Sequence, residues 1–231
     1  MSIKNELTII LPIYNPQIGW EKLLNIKLDE LNEVFKNVDF KTIIVNDGSS
    51  KNLITEIDAL KKNYKNLEFI TYINNKGKGF AVKEGFKNAN STYYIYTDWD
   101  FPFNIESLYK SYELLKTKTA DVIIGTRTSN YYKRLPLFRK LISIGLRVLN
   151  FILFGFKNID TQAGLKGVNE KGKLHFIETK TNSFIFEFEF IKRILKQNLK
   201  ISLREDIVFT NFSFKTLKKE LYNLFKMYFN N

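Results

Sequence analysis

The chain of 231 residues contains no cysteine and a single histidine, His175. The first absence excludes disulfides and thiolate metal sites, and nothing in it indicates an oxidising compartment. The second excludes a zinc centre built from several imidazoles. Residues 1–11 lack the basic start, long apolar centre and small-residue cleavage site of a secretory signal. A long unbroken apolar run is missing too. Leu141–Phe156 is interrupted by Ser143, Arg147 and Asn150, and it is too short to read as a membrane span. These absences point to a cytoplasmic protein.

Acidic residues are the minority, 24 against 36 lysines and arginines, for a net charge of +12. Such an excess suits anionic partners. The basic residues are scattered rather than gathered into an arm, and no nucleic-acid recognition motif accompanies them. Nucleotide phosphates or an anionic membrane surface are therefore the better match, and nucleic acid is set aside. A hydrophobic content of 44% over this length supplies a packed core for one domain spanning residues 1–231.

Apolar periodicity then divides the chain. Leu7–Leu11 reads as a first strand, stopped by Pro12. A helix from Trp20 to Phe35 follows, with Leu23, Leu24, Leu28, Leu31 and Phe35 near helical spacing. Phe40–Val45 is a second strand, closed by the turn signal Asn46-Asp47-Gly48-Ser49-Ser50. A helix over Leu53–Tyr64 and a strand over Leu67–Ile73 come next. Asn74–Gly79 opens a helix reaching Ala89. The series ends with a strand at Tyr93–Thr97, a helix at Ile105–Lys116 and a strand at Asp121–Gly125. Strands alternating with helices imply an α/β protein with a mainly parallel sheet and helices on both faces. In such sheets ligands bind beyond the carboxyl ends of the strands. Tyr14/Asn15, Asp47, Asn74–Gly79 and Asp98/Asp100 each follow a strand, so four polar clusters fall on one edge.

Asp98 and Asp100 are the sharpest signal. Residues i and i+2 of a strand point to one side, so their carboxylates converge and repel unless a cation intervenes. A hard divalent ion suits one or two carboxylates plus substrate phosphate oxygens. The Gly77-x-Gly79 cluster has two readings: a turn that caps a helix, or a helix N-terminus with two lysines beside a diphosphate. It matches neither the dinucleotide fingerprint nor the P-loop, for want of a third glycine and of a Gly-Lys-Ser/Thr.

The motifs Leu11-Pro-Ile-Tyr-Asn15, Val45-Asn-Asp-Gly-Ser-Ser50, Asn75-Lys-Gly-Lys-Gly79, Asp98-Trp-Asp100 and Gly125-Thr-Arg127 occur in order. Together they resemble the inverting family 2 glycosyltransferases of the GT-A fold. Asp160-Thr-Gln-Ala-Gly-Leu-Lys-Gly167 and Phe186-Glu-Phe-Glu189 are similar to signatures of the branch that charges polyprenyl phosphates with glucose or mannose. Pro16, Asn46 and Pro102 depart from the family pattern.

The resemblance implies a Rossmann-like GT-A domain with residues 1–127 holding a nucleotide-sugar, linked to uridine or guanosine diphosphate. Residues 128–231 would form the acceptor side, with amphipathic helices. Pro12, Tyr14, Asn15, Asp47, Lys78, Asp98, Trp99 and Asp100 would bind the donor, with Asp98 and Asp100 holding Mg²⁺ or Mn²⁺. Arg127, Arg139 and Ser143 would face an acceptor phosphate. Arg139 and Ser143 also share one helix face by their spacing, and a guanidinium fork suits phosphate oxygens. Arg127 as a surface ion pair and Ser143 as a packing residue remain open alternatives.

A polyprenyl phosphate attacks as an anion and needs no strong base, whereas a glycan hydroxyl does. Asp160, Glu187 and Glu189 are the candidates for that base; Asp160, Glu189 and Arg127 are the leading catalytic candidates. A solvated face is the competing account of Glu187 and Glu189. Leu141–Phe156 reads either as a buried core helix or as an interfacial one, and Phe214–Phe229 repeats its pattern. With the net positive charge, this implies peripheral attachment to an anionic membrane surface.

Overall fold

The structure is a computed structural model that describes residues 4–126, 145, 159, 163–183, 186–197 and 199–205. The alternation read from the sequence is present. In chain order the elements are β1 (Asn5–Ile13), α1 (Trp20–Val34), β2 (Phe40–Asn46), α2 (Ile54–Asn63), β3 (Leu67–Thr71), α3 (Lys78–Asn88), β4 (Ser91–Thr97) and α4 (Ile105–Lys116). They continue with β5 (Val122–Thr126), β6 (Leu165–Asn169), α5 (Glu170–Ile177), α6 (Phe186–Lys196) and β7 (Ile201–Glu205).

The seven strands form one sheet in the order β3-β2-β1-β4-β6-β5-β7. All neighbouring pairs are parallel except those made by β6, which runs antiparallel to both β4 and β5. Pleat alternation sends the side chains of each strand to two separate cores. Leu7, Ile9, Leu11 and Ile13 of β1 pack with Leu24, Leu28 and Leu31 of α1, Ile57 and Leu60 of α2, and Leu108 and Tyr112 of α4. Ile10 faces the other side, where Ala81, Val82 and Phe86 of α3 meet Phe176 of α5 and Phe190 and Ile194 of α6. Each leucine in these cores contributes about 2 kcal/mol by leaving water. On the second face, Phe176 stacks between Phe86 and Phe190, with ring centroids 4.7 and 3.9 Å away.

Local chemistry sets several boundaries. Asn104 caps α4 by accepting the Ser107 N–H at 2.8 Å, and Asn169 caps α5 by accepting from Lys171 and Gly172. Pro12, expected to stop β1, instead lies inside it. Ile13 C=O accepts from Asp47 N on the β2 side, so Pro12 turns its missing donor toward β4. Pairing with β4 has already ended at Ile10, so no ladder bond is lost. β3 stops two residues earlier than its apolar run suggests, and Ile73 is 92% exposed in the loop beyond. β6 was not expected at all, because Lys166 and Gly167 interrupt its apolar pattern.

The consequence for function is one edge. The carboxyl ends of β1, β2, β3 and β4 lie together, and antiparallel pairing of Thr97 with Leu165 brings Ala163 and Gly164 to the same edge.

α3 crosses β1 and β2 closely at Gly85, where an added Cβ would stand 2.4 Å from Ile10 Cγ2 and 3.3 Å from Val45 Cγ2. Both neighbours are β-branched and stiff. Gly85→Ala should therefore destabilise the protein by about 1–3 kcal/mol through overpacking, although alanine gains about 1 kcal/mol in helix propensity. A urea unfolding midpoint that rose instead would show that α3 can shift outward freely.

Candidate active site

Three asparagine and aspartate side chains knit the edge loops. Asn15, at φ 44, accepts from Ser50 N and Oγ at 2.8 and 3.0 Å, while its own N–H donates to Ser49 Oγ at 2.9 Å. Asn46 donates to Thr71 Oγ1 at 3.0 Å and accepts from Ser49 N and Oγ at 3.1 and 2.6 Å. An aspartate there could accept but not donate, which gives the departure from the family pattern a physical use. Asp47 is buried, and its carboxylate accepts from the Tyr72 hydroxyl, Asn75 Nδ2, Lys76 N and Gly77 N at 2.8, 2.8, 2.9 and 3.0 Å. Burial and the Asp47 charge hold the Tyr72 hydroxyl well above the ordinary phenol range. Pro12 is buried next to this knot, and Tyr14 stands half-exposed at its rim.

The glycine cluster is arranged differently from a phosphate cradle. Lys76 and Gly77 give their N–H groups to Asp47, Gly79 N donates to Asn182 O at 2.8 Å, and Phe80 and Ala81 N–H turn back on Gly77 O. Of the two lysines, Lys76 lies over the Phe80 ring, 4.5 Å from its centroid, and Lys78 reaches the aspartate pair. The residues that dock on this loop are themselves held. Lys83 Nζ donates to Thr179 O and Asn182 Oδ1 at 2.7 and 2.8 Å, and Glu189 accepts from Lys180 N and Thr181 N.

Asp98 and Asp100 follow β4 in a tight turn closed by Phe101 N donating to Asp98 O at 3.0 Å. Phe101 sits at φ 49, a left-handed conformation that costs an aromatic residue about 1–3 kcal/mol and clusters at functional sites. Burial of Phe101 and Phe103 in the first core holds it there. Trp99 turns its ring edge-on to Trp20, with centroids 6.3 Å apart. On the far side, a Cβ at Gly164 would stand 2.4 Å from Asp98 Oδ2, so the glycine leaves room for that carboxylate.

The electrostatics are crowded. Lys78 Nζ lies 2.6 Å from Asp98 Oδ1 and 3.8 Å from Glu187 Oε1. Burial pulls the Lys78 ammonium toward neutrality, but Asp98 and Glu187 outweigh it and raise its pKa above the usual lysine value. The Asp100 carboxyl is pushed up to about 6, first by burial and then by Asp98; its own backbone and Lys78 pull the other way. Among the described residues no group of three or more His, Cys, Asp or Glu surrounds one point. A pair of repelling carboxylates with a single ammonium still fits a divalent ion that completes its shell with water and phosphate oxygens.

Beneath the pair lies a cluster that the sequence reading only touched. Glu187, in the first turn of α6, accepts from Lys166 Nζ at 2.6 Å and from the Tyr96 hydroxyl. Lys166 is fully buried and also donates to Ala163 O. Lys166 entered only as part of the Asp160–Gly167 signature, with no role of its own, and Tyr96 only as one of a run of strand aromatics. Of the paired glutamates, Glu187 is beside the aspartates, while Glu189 is engaged with residues 180 and 181. Arg127, Arg139, Ser143 and Asp160 lie outside the described residues, as do Phe214–Phe229 and most of Leu141–Phe156. No helix among the described residues is long and apolar enough to cross a membrane.

An edge of this kind, with paired carboxylates after the fourth strand of a mainly parallel sheet, is the architecture of GT-A sugar transferases. The structure of glucosyl-3-phosphoglycerate synthase from Mycobacterium tuberculosis in complex with Mn²⁺ and uridine-diphosphate-glucose superposes with a TM-score of 0.64, over 96% of this chain and 78% of that one. At 12% identity the likeness is one of fold. Residues 8–171 match Glycosyl transferase family 2, and the chain belongs to that family. It is 31% identical over 206 residues to a dolichyl-phosphate beta-glucosyltransferase of Trichomonas vaginalis, covering 85% of this chain but 63% of the relative. A dolichyl-phosphate beta-glucosyltransferase of Saccharomyces cerevisiae is 29% identical over 226 residues, covering 86% of this chain and 67% of that one.

The raised Asp100 pKa has a direct consequence for stability. An acid whose pKa is higher folded than unfolded loses stability as pH rises, here between about 4 and about 6. Asp100→Asn should therefore stabilise the metal-free protein at pH 7 by about 1–2 kcal/mol, a shift of a few degrees in Tm. The gain should vanish near pH 4. Melts in chelator at both pH values test this, and an equal shift at each would mean the charge is not responsible.

Proposed function

We propose that the protein transfers a hexose, with inversion, from a nucleotide-sugar to a polyprenyl phosphate in a divalent-metal-dependent reaction. The observation that carries the reading is the Asp98/Asp100 pair at the carboxyl end of β4, with Lys78 on its inner side. Asp98 and Asp100 would hold the ion, which neutralises charge on the departing diphosphate. Lys78 adds a positive charge on the same side. Tyr14, Asn15 and the Asp47 loop form the rim where the nucleoside would lie, with Asn15 and that loop prearranged by hydrogen bonds to Ser49 and Ser50. Uridine-diphosphate-glucose is the first donor to test, because it is the donor bound in the structural neighbour named above.

The acceptor class draws support from the relatives' names and from the glutamates. A hydroxyl acceptor needs a carboxylate free to take its proton. Glu187 is tied to Lys166 and Tyr96, and Glu189 to two backbone N–H groups. Asp160 lies outside the described residues and is the base on which a hydroxyl-acceptor reading would depend. A phosphate acceptor is already anionic and asks nothing of these groups. Arg127, Arg139 and Ser143 are the proposed phosphate contacts, and an anionic membrane surface is the proposed setting.

The test is transfer of labelled glucose from uridine-diphosphate-glucose to a short polyprenyl phosphate, with and without Mn²⁺. Asp100→Ala should reduce turnover at least about 100-fold, the scale of losing a main electrostatic stabiliser, with the fold intact by circular dichroism. Near-normal, metal-dependent turnover in that variant would remove the assignment. Arg139→Ala should raise the acceptor KM about tenfold, in line with losing a charged hydrogen bond, and leave donor affinity unchanged. Arg139→Lys should recover only part, because an ammonium cannot make the bidentate contact. If donor affinity falls and the acceptor KM does not, Arg139 belongs to the donor site and the phosphate-acceptor reading loses its support.

A further inference from the structure

The space between α3, β4, β6 and the start of α6 holds a cation shared by two carboxylates of different standing. Lys78 Nζ is 2.6 Å from Asp98 Oδ1, on the open edge, and 3.8 Å from Glu187 Oε1, in the interior. It also lies 5.4 Å from the centroid of the Tyr96 ring, whose hydroxyl donates to the same Glu187. The backbone on either side of Lys78 is fixed: Gly77 N donates to Asp47 and Gly79 N to Asn182 O. Any change in the position of the ammonium must therefore come from its own side-chain torsions. The gap to be closed on the Glu187 side is little more than 1 Å, within reach of a rotamer adjustment.

The charges explain why such a choice matters. Asp98, Asp100 and Glu187 carry three negative charges, and Lys78 and Lys166 two positive ones, leaving one negative charge in the group. A divalent ion drawn to Asp98 meets the Lys78 ammonium on the same carboxylate, and the two cations repel. A lysine with nowhere else to go would oppose the ion. Glu187 offers another place. It is buried, it is held in position by Lys166 at 2.6 Å and by Tyr96, and one of its oxygens faces Lys78.

We propose that Lys78 occupies the cation position of Asp98 while the protein is metal-free, and that Glu187 is a positioning residue that receives the ammonium when a divalent ion takes Asp98. The inference rests on the metal-dependent reading above and deepens it. It gives Glu187 a task other than proton transfer, and it makes metal uptake depend on a side chain that need not touch the metal.

The test is a double-mutant cycle read by calorimetric titration of the full chain with Mn²⁺ alone, without nucleotide. Lys78→Met should raise Mn²⁺ affinity about tenfold or more, because the resident cation is gone. Glu187→Gln should lower it about tenfold, because the interior carboxylate that draws the ammonium off Asp98 is then neutral. Combined with Lys78→Met, Glu187→Gln should change affinity less than twofold. An equal loss from Glu187→Gln with and without Lys78 would mean that Glu187 acts only through its charge, and would overturn the proposal. Unchanged affinity in Glu187→Gln would overturn it as well. Should the buried Lys166 prevent that variant from folding, Glu187→Gln with Lys166→Met removes both partners together and enters the same cycle. Wild-type protein that takes up no Mn²⁺ at millimolar concentration would remove the metal-dependent reading and this inference with it. Uptake without coupling to Lys78 removes the inference alone.

Discussion

Two full charges, Lys166 and Glu187, are placed in the interior where their ions face each other at 2.6 Å. Taking both from water carries a large desolvation penalty, repaid only when geometry is good and the remaining lone pairs and protons are used. They are used here. Lys166 also donates to Ala163 O, and Glu187 also accepts from Tyr96. Removing one partner of such a pair typically costs about 3–5 kcal/mol, because the other is left buried and charged. The pair spans three elements: β6, which carries Lys166, α6, which carries Glu187, and β4, which carries Tyr96. It ties the strand that departs from the parallel pattern to the helix that closes the second core, directly under the aspartates.

Around that anchor the edge loops differ in how completely their polar groups are matched. Asn15, Asn46 and Asp47 find donors or acceptors within the loops that follow β1, β2 and β3, so those loops need little ordering when a ligand arrives. The turn after β4 is the opposite case. It holds two carboxylates against each other, keeps Phe101 in an unfavourable conformation, and raises one acid toward neutrality. A matched rim surrounding one mismatched spot is the pattern of a site that stores its mismatch for a ligand to relieve.

The fold was legible where local chemistry decides it. The alternation from β1 to α4 followed from apolar period and turn residues, and boundaries agreed within about two residues, the largest offsets falling at the ends of β1 and β3 and the start of β4. Pro12 misled because the side on which its missing N–H falls depends on where β4 stops, which no local signal reveals. β6 was missed because Lys166 reads as a solvent residue until Glu187, far along the chain, is placed beside it. Within the candidate site, the pairing of Asp98 and Asp100 was legible from their spacing, but not its cause: β4 ends at Thr97, and a tight turn rather than a continued pleat holds the two side by side. Glu187 and Glu189 could not be told apart in that way. In a helix, residues two apart diverge by about 200°, so one meets Lys166 and the other the loop at 180–181. The composition of the glycine cluster allows a helix-capping turn and a phosphate site equally, and only the docking of Asp47 on Lys76 and Gly77 and of Asn182 on Gly79 shows where those N–H groups go.

The antiparallel course of β6 gives Lys166 a second importance, this time for how the chain finds its structure. A strand that slips by one residue against its neighbours turns every side chain to the opposite face. For β6, one step would send Lys166 away from Glu187 and toward the apolar layer of Leu108, Tyr112 and Phe103. An all-apolar strand of five residues could tolerate that error; this one cannot. The lysine thus acts as a key cut for a single alignment, and the correct alignment is the one that sets Gly164 against Asp98. Assembly of the sheet and assembly of the candidate site are on this account the same event, checked by one charge.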